Sequence, residues 1–246
     1  MLNFKAQQTK YKTLRRSISI KACLAGCFMM GCVQSLQANR YLGFNLGGNS
    51  VNVKKELSYP LDTSPLTINR YTAAYTNFHA QLFAGYRLPF VHFFKPFHVA
   101  AEANWDFFTG SAKNEIRNWF LETNAVAKEK LRYSYAFFLL PEYNFSSNGR
   151  VFIGPGFSQG ELLVASSITG GNVGVSSNVR RWLSGWGIKA GIGRTFTSCV
   201  EVLLTYEFLR YDRMSTAAVE PLSEEILSGI YRPYVNLLTL GLKFNV

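Results

Sequence analysis

His98, Glu102 and Asp106 stand at four-residue intervals, an imidazole followed by two carboxylates, and groups of this kind move protons as general acids and bases. They belong to a larger set that shares one parity within each segment: His79, Arg87, His98, Glu102, Asp106, Arg132, Glu142, Lys189, Glu201, Glu207 and Lys243. Three chemistries suit such a set. His98 with Glu102 is an acid–base pair. A file of ionisable groups is an ion or proton path. Charges of both signs in similar number can also neutralise one another and plug a narrow space. The neighbouring residues favour the last. His79 is followed by Ala80-Gln81, His92 by Phe93-Phe94 and His98 by Val99-Ala100, so no histidine has a serine two residues on. Neither His-Glu-x-x-His nor Gly-Lys-Ser/Thr occurs. Of four cysteines, Cys23, Cys27 and Cys32 fall in the first 38 residues, which leaves Cys199 alone, too few for a disulfide framework or a zinc set. No catalytic, cofactor-binding or metal-binding residue is assigned.

A shared parity is a property of strands, in which successive side chains point to opposite faces. From Asn77 to Leu88 the even positions are Phe78, Ala80, Leu82, Ala84, Tyr86 and Leu88, and the odd ones are Asn77, His79, Gln81, Phe83, Gly85 and Arg87. The same alternation predicts seven further strands, over Tyr41–Val51, Phe97–Phe107, Leu131–Phe145, Val151–Leu163, Arg181–Phe196, Cys199–Tyr211 and Tyr234–Val246. Pro155 lacks an N–H and predicts a local break in the fifth. Short links near Pro89–Pro96, Ser146–Arg150 and Thr197–Ser198 alternate with long polar ones, Asn52–Thr76, Phe108–Lys130, Val164–Arg180 and Asp212–Pro233. A short helical turn is expected around Ser223–Leu227.

Each apolar run is about the length of a tilted strand that crosses a bilayer. A soluble barrel alternates too, with the apolar face inward. Two features point the other way. The polar face of the sixth strand reads Gly185, Gly187, Lys189, Gly191 and Gly193, small neighbours that suit a charge packed in a narrow interior rather than a solvated outer face. Tyr41, Tyr86, Trp105, Tyr133, Trp182, Tyr206 and Tyr234 gather near strand ends, where an aromatic girdle belongs. The fold expected is an all-β, antiparallel, up-and-down transmembrane barrel of eight strands, with the short turns on the periplasmic side.

Residues 1–38 differ in kind. Lys5, Lys10, Lys12, Arg15, Arg16 and Lys21 precede an apolar run from Ala22 to Val33, and Ala38 supplies a small residue at a cut before Asn39. This is the layout of a secretory signal peptide, which leaves 39–246 as the barrel domain. Leu24-Ala25-Gly26-Cys27 also has the form of a lipobox, so lipidation of Cys27 stays open beside cleavage near Ala38. The leader holds six basic residues and no acid, so 20 basic against 15 acidic residues leave +5 on the remainder, rather than the +11 of the whole chain. No basic cluster interleaved with aromatics stands out, which argues against a nucleic-acid partner.

Thr239-x-Gly241-x-x-Phe244-x-Val246 ends the chain. This run resembles the signal by which the outer-membrane assembly machinery recognises a last strand, with Val246 where that signal usually has an aromatic. With the leader and eight alternating strands, the chain resembles the small OmpA-like and OmpX-like outer-membrane barrels. The resemblance implies a non-enzymatic, structural or surface-exposed protein in contact with outer-membrane lipids and lipopolysaccharide. The cations Lys54-Lys55, Lys113, Arg117, Lys128, Lys130, Arg180-Arg181, Arg210 and Arg213 in or beside the long links would meet lipopolysaccharide phosphates or a host surface ligand. A narrow pore for small solutes and a lipid A-modifying enzyme are the alternatives. The enzyme would need a His-x-Ser element facing lipid, and His79 and His98 fall on the inward parity.

Overall fold

The computed structural model describes residues 39–61, 64–88, 96–118, 123–170, 173–219 and 226–246, and every element among them is a β-strand. In chain order these are β1 (Arg40–Leu61), β2 (Ser64–Arg87), β3 (Phe97–Phe108), β4 (Ala112–Asn118), β5 (Thr123–Asn144), β6 (Gly149–Gly170), β7 (Val173–Thr197), β8 (Val200–Tyr211), β9 (Met214–Val219) and β10 (Ile226–Asn245). Pairing is antiparallel throughout, and β10 returns to β1, with Tyr41 opposite Asn245 and Lys54 opposite Arg232. The order β1-β2-β3-β5-β6-β7-β8-β10 closed by β1–β10 is a hydrogen-bonded ring of eight positions. The remaining two strands lengthen their predecessors. β4 pairs with β5 beyond the last β3 pair, across a break at Gly110, whose φ of 85° is a conformation that favours glycine. β9 pairs with β10 beyond β8 in the same way.

The long links expected from sequence are corrected by this arrangement. Asn52–Thr76, Phe108–Lys130, Val164–Arg180 and Asp212–Pro233 are mostly strand, because β1, β2, β5, β6, β7 and β10 run 20 to 25 residues each. The physical reason is a switch of polarity along each strand. On β1, Leu42, Phe44 and Leu46 point outward and Asn45 and Asn49 inward, whereas farther on Val51 and Val53 point inward and Asn52 and Lys54 outward. The backbone stays extended while the two faces exchange polarity, so a pattern defined by an apolar outer face stops short of the strand's end. The expected helical turn is likewise overturned where it can be seen: Ile226 and Leu227 begin β10, and Ser223, Glu224 and Glu225 lie outside the described residues, as do 1–38.

The break expected at Pro155 takes a particular form. β6 continues through it, and Pro155 pairs with Ile188 on β7. Toward β5 the ladder stops at Phe138–Gly156 and resumes in the same register at Glu142–Phe152, and the gap holds both Pro141 and Pro155. Two residues without N–H groups remove rungs without shifting register. A bulge farther along, between Leu131 and Ser134, turns both inward.

Outside the ring, Leu46, Leu82, Phe137, Ile153, Leu204 and Leu240 are each 46–61% exposed. Inside it, Asn45, His79, Asp106, Lys189, Glu201, Glu207 and Lys243 are at most 1% exposed. Polar residues are buried and large apolar ones exposed along one half of the ring. Toward the long-hairpin end the interior becomes apolar, with Leu131, Leu162, Leu209, Tyr211, Met214, Val235 and Leu237 in one cluster. The glycines of β7 make room for what the interior holds. A Cβ on Gly191 would meet the Phe152 ring, and one on Gly193 would meet the Glu201 carboxylate.

Candidate functional site

The interior charges form two linked groups. Nearest the short turns, Glu142 accepts hydrogen bonds from Arg87 Nε at 3.1 Å and from Arg150 Nη1. Arg150 Nε donates to Glu201, whose other oxygen lies 3.3 Å from Lys243 Nζ. Lys243 also sits over the Tyr41 ring, 4.0 Å from its centroid. In the second group Lys189 Nζ reaches Glu102 at 2.8 Å and Glu207 at 2.6 Å, with the Phe83 and Phe138 rings 5.5 and 5.8 Å away. Gln81 Nε2 donates to Asp106 at 2.7 Å and to Glu207 at 2.9 Å, and Asn104 Nδ2 donates to Glu207 at 3.2 Å. His79 Nε2 is 3.0 Å from Asp106. The Tyr41 hydroxyl donates to Glu102 at 3.0 Å and so joins the groups.

Strand parity delivers all of these. β3 contributes Glu102, Asn104 and Asp106, β8 contributes Glu201 and Glu207, β7 contributes Lys189 and β10 contributes Lys243, each two or a multiple of two from its neighbour on the same strand. Opposite charges enclosed this closely satisfy one another, and each holds its partner in one rotamer. Arg132 stands apart. The bulge beside it leaves its side chain 30% exposed, 3.5 Å from Glu161, outside both groups. Glu102 is occupied by Lys189 and Tyr41, and His98 lies opposite Glu142 in the β3–β5 register.

Several members were not anticipated. Arg150 precedes the expected start of the fifth strand by one residue, yet it has the parity of the inward Phe152 and Gly154. Gln81, Asn45, Asn104 and Tyr41 complete the network without carrying charge. Lys55 and Glu129 form a buried ion pair in the stretch read as loop, with the Lys55 ammonium 5.8 Å from the centre of the Tyr231 ring. Burial pulls the Lys55 ammonium below the usual lysine range and pushes the Glu129 carboxyl above the usual carboxylate range, while each partner opposes the shift. Nearby, burial raises the Tyr75 phenol to about 12 as its oxygen accepts the Leu131 N–H at 3.0 Å.

The expectation that no Gly-x-Ser-x-Gly occurs is overturned, because Gly156-Phe157-Ser158-Gln159-Gly160 has that spacing. That motif acts as a nucleophile elbow at a strand-to-helix turn. Here Ser158 lies in the middle of β6, opposite Gly185, and is fully buried. His79 and Asp106 are equally enclosed. Cys199 is buried beside Ser198. Among the described residues, no group of three His, Cys, Asp or Glu side chains is disposed to hold a metal ion.

On the last strand, Thr239 bonds the Thr205 hydroxyl inside the ring at 2.5 Å and Gly241 packs against Asn45. Phe244 faces outward, 6.5 Å from the Phe44 ring, and Val246 is exposed.

No protein-family model and no curated protein matches the chain. Solved structures do match in outline. The outer membrane protein OprG from Pseudomonas aeruginosa is 14% identical over 87% of this chain and 100% of its own, with a TM-score of 0.49. The outer membrane protease OmpT from Escherichia coli is 9% identical over 87% and 99%, with a TM-score of 0.47. Neisserial surface protein A is 14% identical over 85% and 98%, with a TM-score of 0.39. At these values the function is read from this chain's own residues.

Proposed function

We propose that this chain is a non-enzymatic integral β-barrel protein of the bacterial outer membrane, held there by its apolar exterior and sealed by its interior charges. The reading rests on one observation: where the outside of the ring is apolar, the inside is polar and holds its charges in ion pairs, and the two exchange roles farther along the same strands. An exterior of Leu, Ile, Phe and Val costs free energy against water and none against hydrocarbon. Trp105, Tyr135 and Trp182 form a stacked outward row at 5.7 and 5.4 Å, the place of an interfacial girdle. About 9–11 residues per strand suffice to cross the hydrocarbon, so β7 with 25 residues projects well beyond it. The hairpins on that side are the protein's exposed surface and would carry contacts to lipopolysaccharide or to a host ligand.

In this reading residues 1–38 are a cleaved secretory leader and 39–246 the barrel. Thr239, Gly241, Phe244 and Val246 on the closing strand form the assembly signal. The network of Arg87, Glu102, Asp106, Glu142, Lys189, Glu201, Glu207 and Lys243 is structural, and Arg132 stands outside it. A conducting pore is disfavoured because Lys55, Phe138, Lys189, Lys243, Leu131, Leu140 and Leu162 fill the interior as fully buried side chains. A lipid A-modifying enzyme is disfavoured because the buried His79–Asp106 pair faces away from lipid. Fractionation with heat-dependent gel mobility tests the proposal. An outer-membrane band that migrates faster unboiled than boiled supports it, and a soluble periplasmic protein without that shift refutes it.

A further inference from the structure

We propose, resting on the membrane reading above, that an outward cleft that runs across β7, β8, β10 and β1 binds the phosphates of a lipid in the leaflet on the long-hairpin side, which in an outer membrane is lipopolysaccharide. Trp186, Arg210 and Tyr234 stand opposite one another across three strands, β7, β8 and β10. One step farther from the apolar band, Lys54 and Arg232 stand opposite one another across the β1–β10 seam. Arg213 follows in the gap between β8 and β9. These six residues line a cleft of about 950 Å³ whose one carboxylate among the described residues is Asp212.

Like charges placed directly opposite on paired strands repel. The structure supplies little of its own to offset them. Glu56 lies 3.7 Å from Arg232 but is shared with Arg70 at 3.6 Å. The Lys54 ammonium sits 5.7 Å from the centre of the Tyr234 ring. Among the described residues, Lys54, Arg210 and Arg213 have no ion pair. The cleft therefore carries an excess of cations that an anion would relieve, and guanidinium groups match phosphate oxygens in a two-point fork.

Position selects a lipid over a soluble anion. Trp186, Phe208 and Tyr234, which also line the cleft, end the outward apolar band that continues through Ile188, Tyr206, Leu204, Leu238 and Leu240 on the same strands. A phosphorylated headgroup carried on acyl chains meets the cations and the band together. A free phosphate meets the cations alone.

The test uses full-length mature protein folded into phosphatidylcholine vesicles, with insertion scored first by unboiled gel mobility. Binding is then titrated through tryptophan fluorescence with lipid A, with dephosphorylated lipid A and with inorganic phosphate. The expected result is saturable binding of lipid A, weakened about tenfold or more by the pair Arg210→Gln and Arg232→Gln, which removes two charge-assisted contacts. Arg210→Lys with Arg232→Lys should restore much of it. Equal binding of dephosphorylated lipid A, or an unchanged affinity in the glutamine pair, overturns the proposal. So does inorganic phosphate that binds as tightly as lipid A, which would make this a soluble-anion site. Protein that inserts but shows no preference refutes this inference alone, whereas failure of wild type to insert refutes the membrane reading.

Discussion

Replacing Lys189 with methionine removes the ammonium that Glu102 and Glu207 share and leaves both carboxylates enclosed. The two contacts are 2.8 and 2.6 Å long, and the three side chains are 1–5% exposed. With an effective dielectric constant near 20, each contact represents about 6 kcal/mol of attraction before desolvation is subtracted. What remains for the carboxylates is the Tyr41 hydroxyl on Glu102 and the amides of Gln81 and Asn104 on Glu207. Methionine replaces the volume but not the charge, so the expected loss is that of breaking a buried pair, about 3–5 kcal/mol. Adding Glu207→Gln removes one stranded charge and should recover part of the loss, with a coupling of about 1–3 kcal/mol. The assay is chemical unfolding from micelles or vesicles, followed by fluorescence and unboiled gel mobility. A Lys189→Met protein with the wild-type midpoint, or a double variant no more stable than the single, would refute the inference that these charges hold one another.

Other outcomes follow from the same geometry. On β1, Leu46→Lys places an ammonium in the apolar band and should cost roughly 2–4 kcal/mol, whereas Asn52→Lys beyond the polarity switch should cost roughly 0–1 kcal/mol; unfolding midpoints of the two variants decide. The purified protein in planar bilayers should give no stable conductance steps, and reproducible ones would show an open interior. For the Lys55–Glu129 pair both shifts favour the uncharged forms. The Glu129 contribution is present below about 4.5, the ordinary value, and is lost as pH rises through its raised folded value. The Lys55 contribution is present above about 10.5 and is lost as pH falls through its lowered folded value. Burial therefore costs most near neutrality, so Lys55→Met with Glu129→Leu should leave the exchange protection of the β1 and β5 amides near neutral pH unchanged or higher, while Glu129→Leu alone should lower it.

Much of the ring was legible because period-two alternation is a direct consequence of the pleat. Every expected strand lies within an observed strand or overruns one end of it by a single residue, and Glu102, Asp106, Glu201, Glu207, Lys189 and Lys243 share the interior for that reason alone. What was missed has a common cause. Apolar-outward alternation covers only the first part of β1, and Val51-Asn52-Val53-Lys54 follows the opposite polarity. Such a segment has the sequence of a polar link, which hides the Lys55–Glu129 pair that it carries. Parity also fails at a bulge, where two successive registers meet, which is why Leu131 turned inward and Arg132 left the network. Pairing partners across the ring, such as Arg150 with both Glu142 and Glu201, depend on register between distant strands and have no local signature.

The central claim, that the apolar face of the ring meets hydrocarbon, is tested most directly on β8. Single cysteines placed in a Cys199→Ser background at 201 to 206 would carry a spin label, with collisions measured against membrane-dissolved oxygen and a water-soluble relaxant. Residues 202, 204 and 206 should respond to oxygen as lipid-facing sites, and 201, 203 and 205 should be shielded from it. Oxygen accessibility at the odd positions, or strong exposure of the even ones to the water-soluble relaxant, would contradict the account.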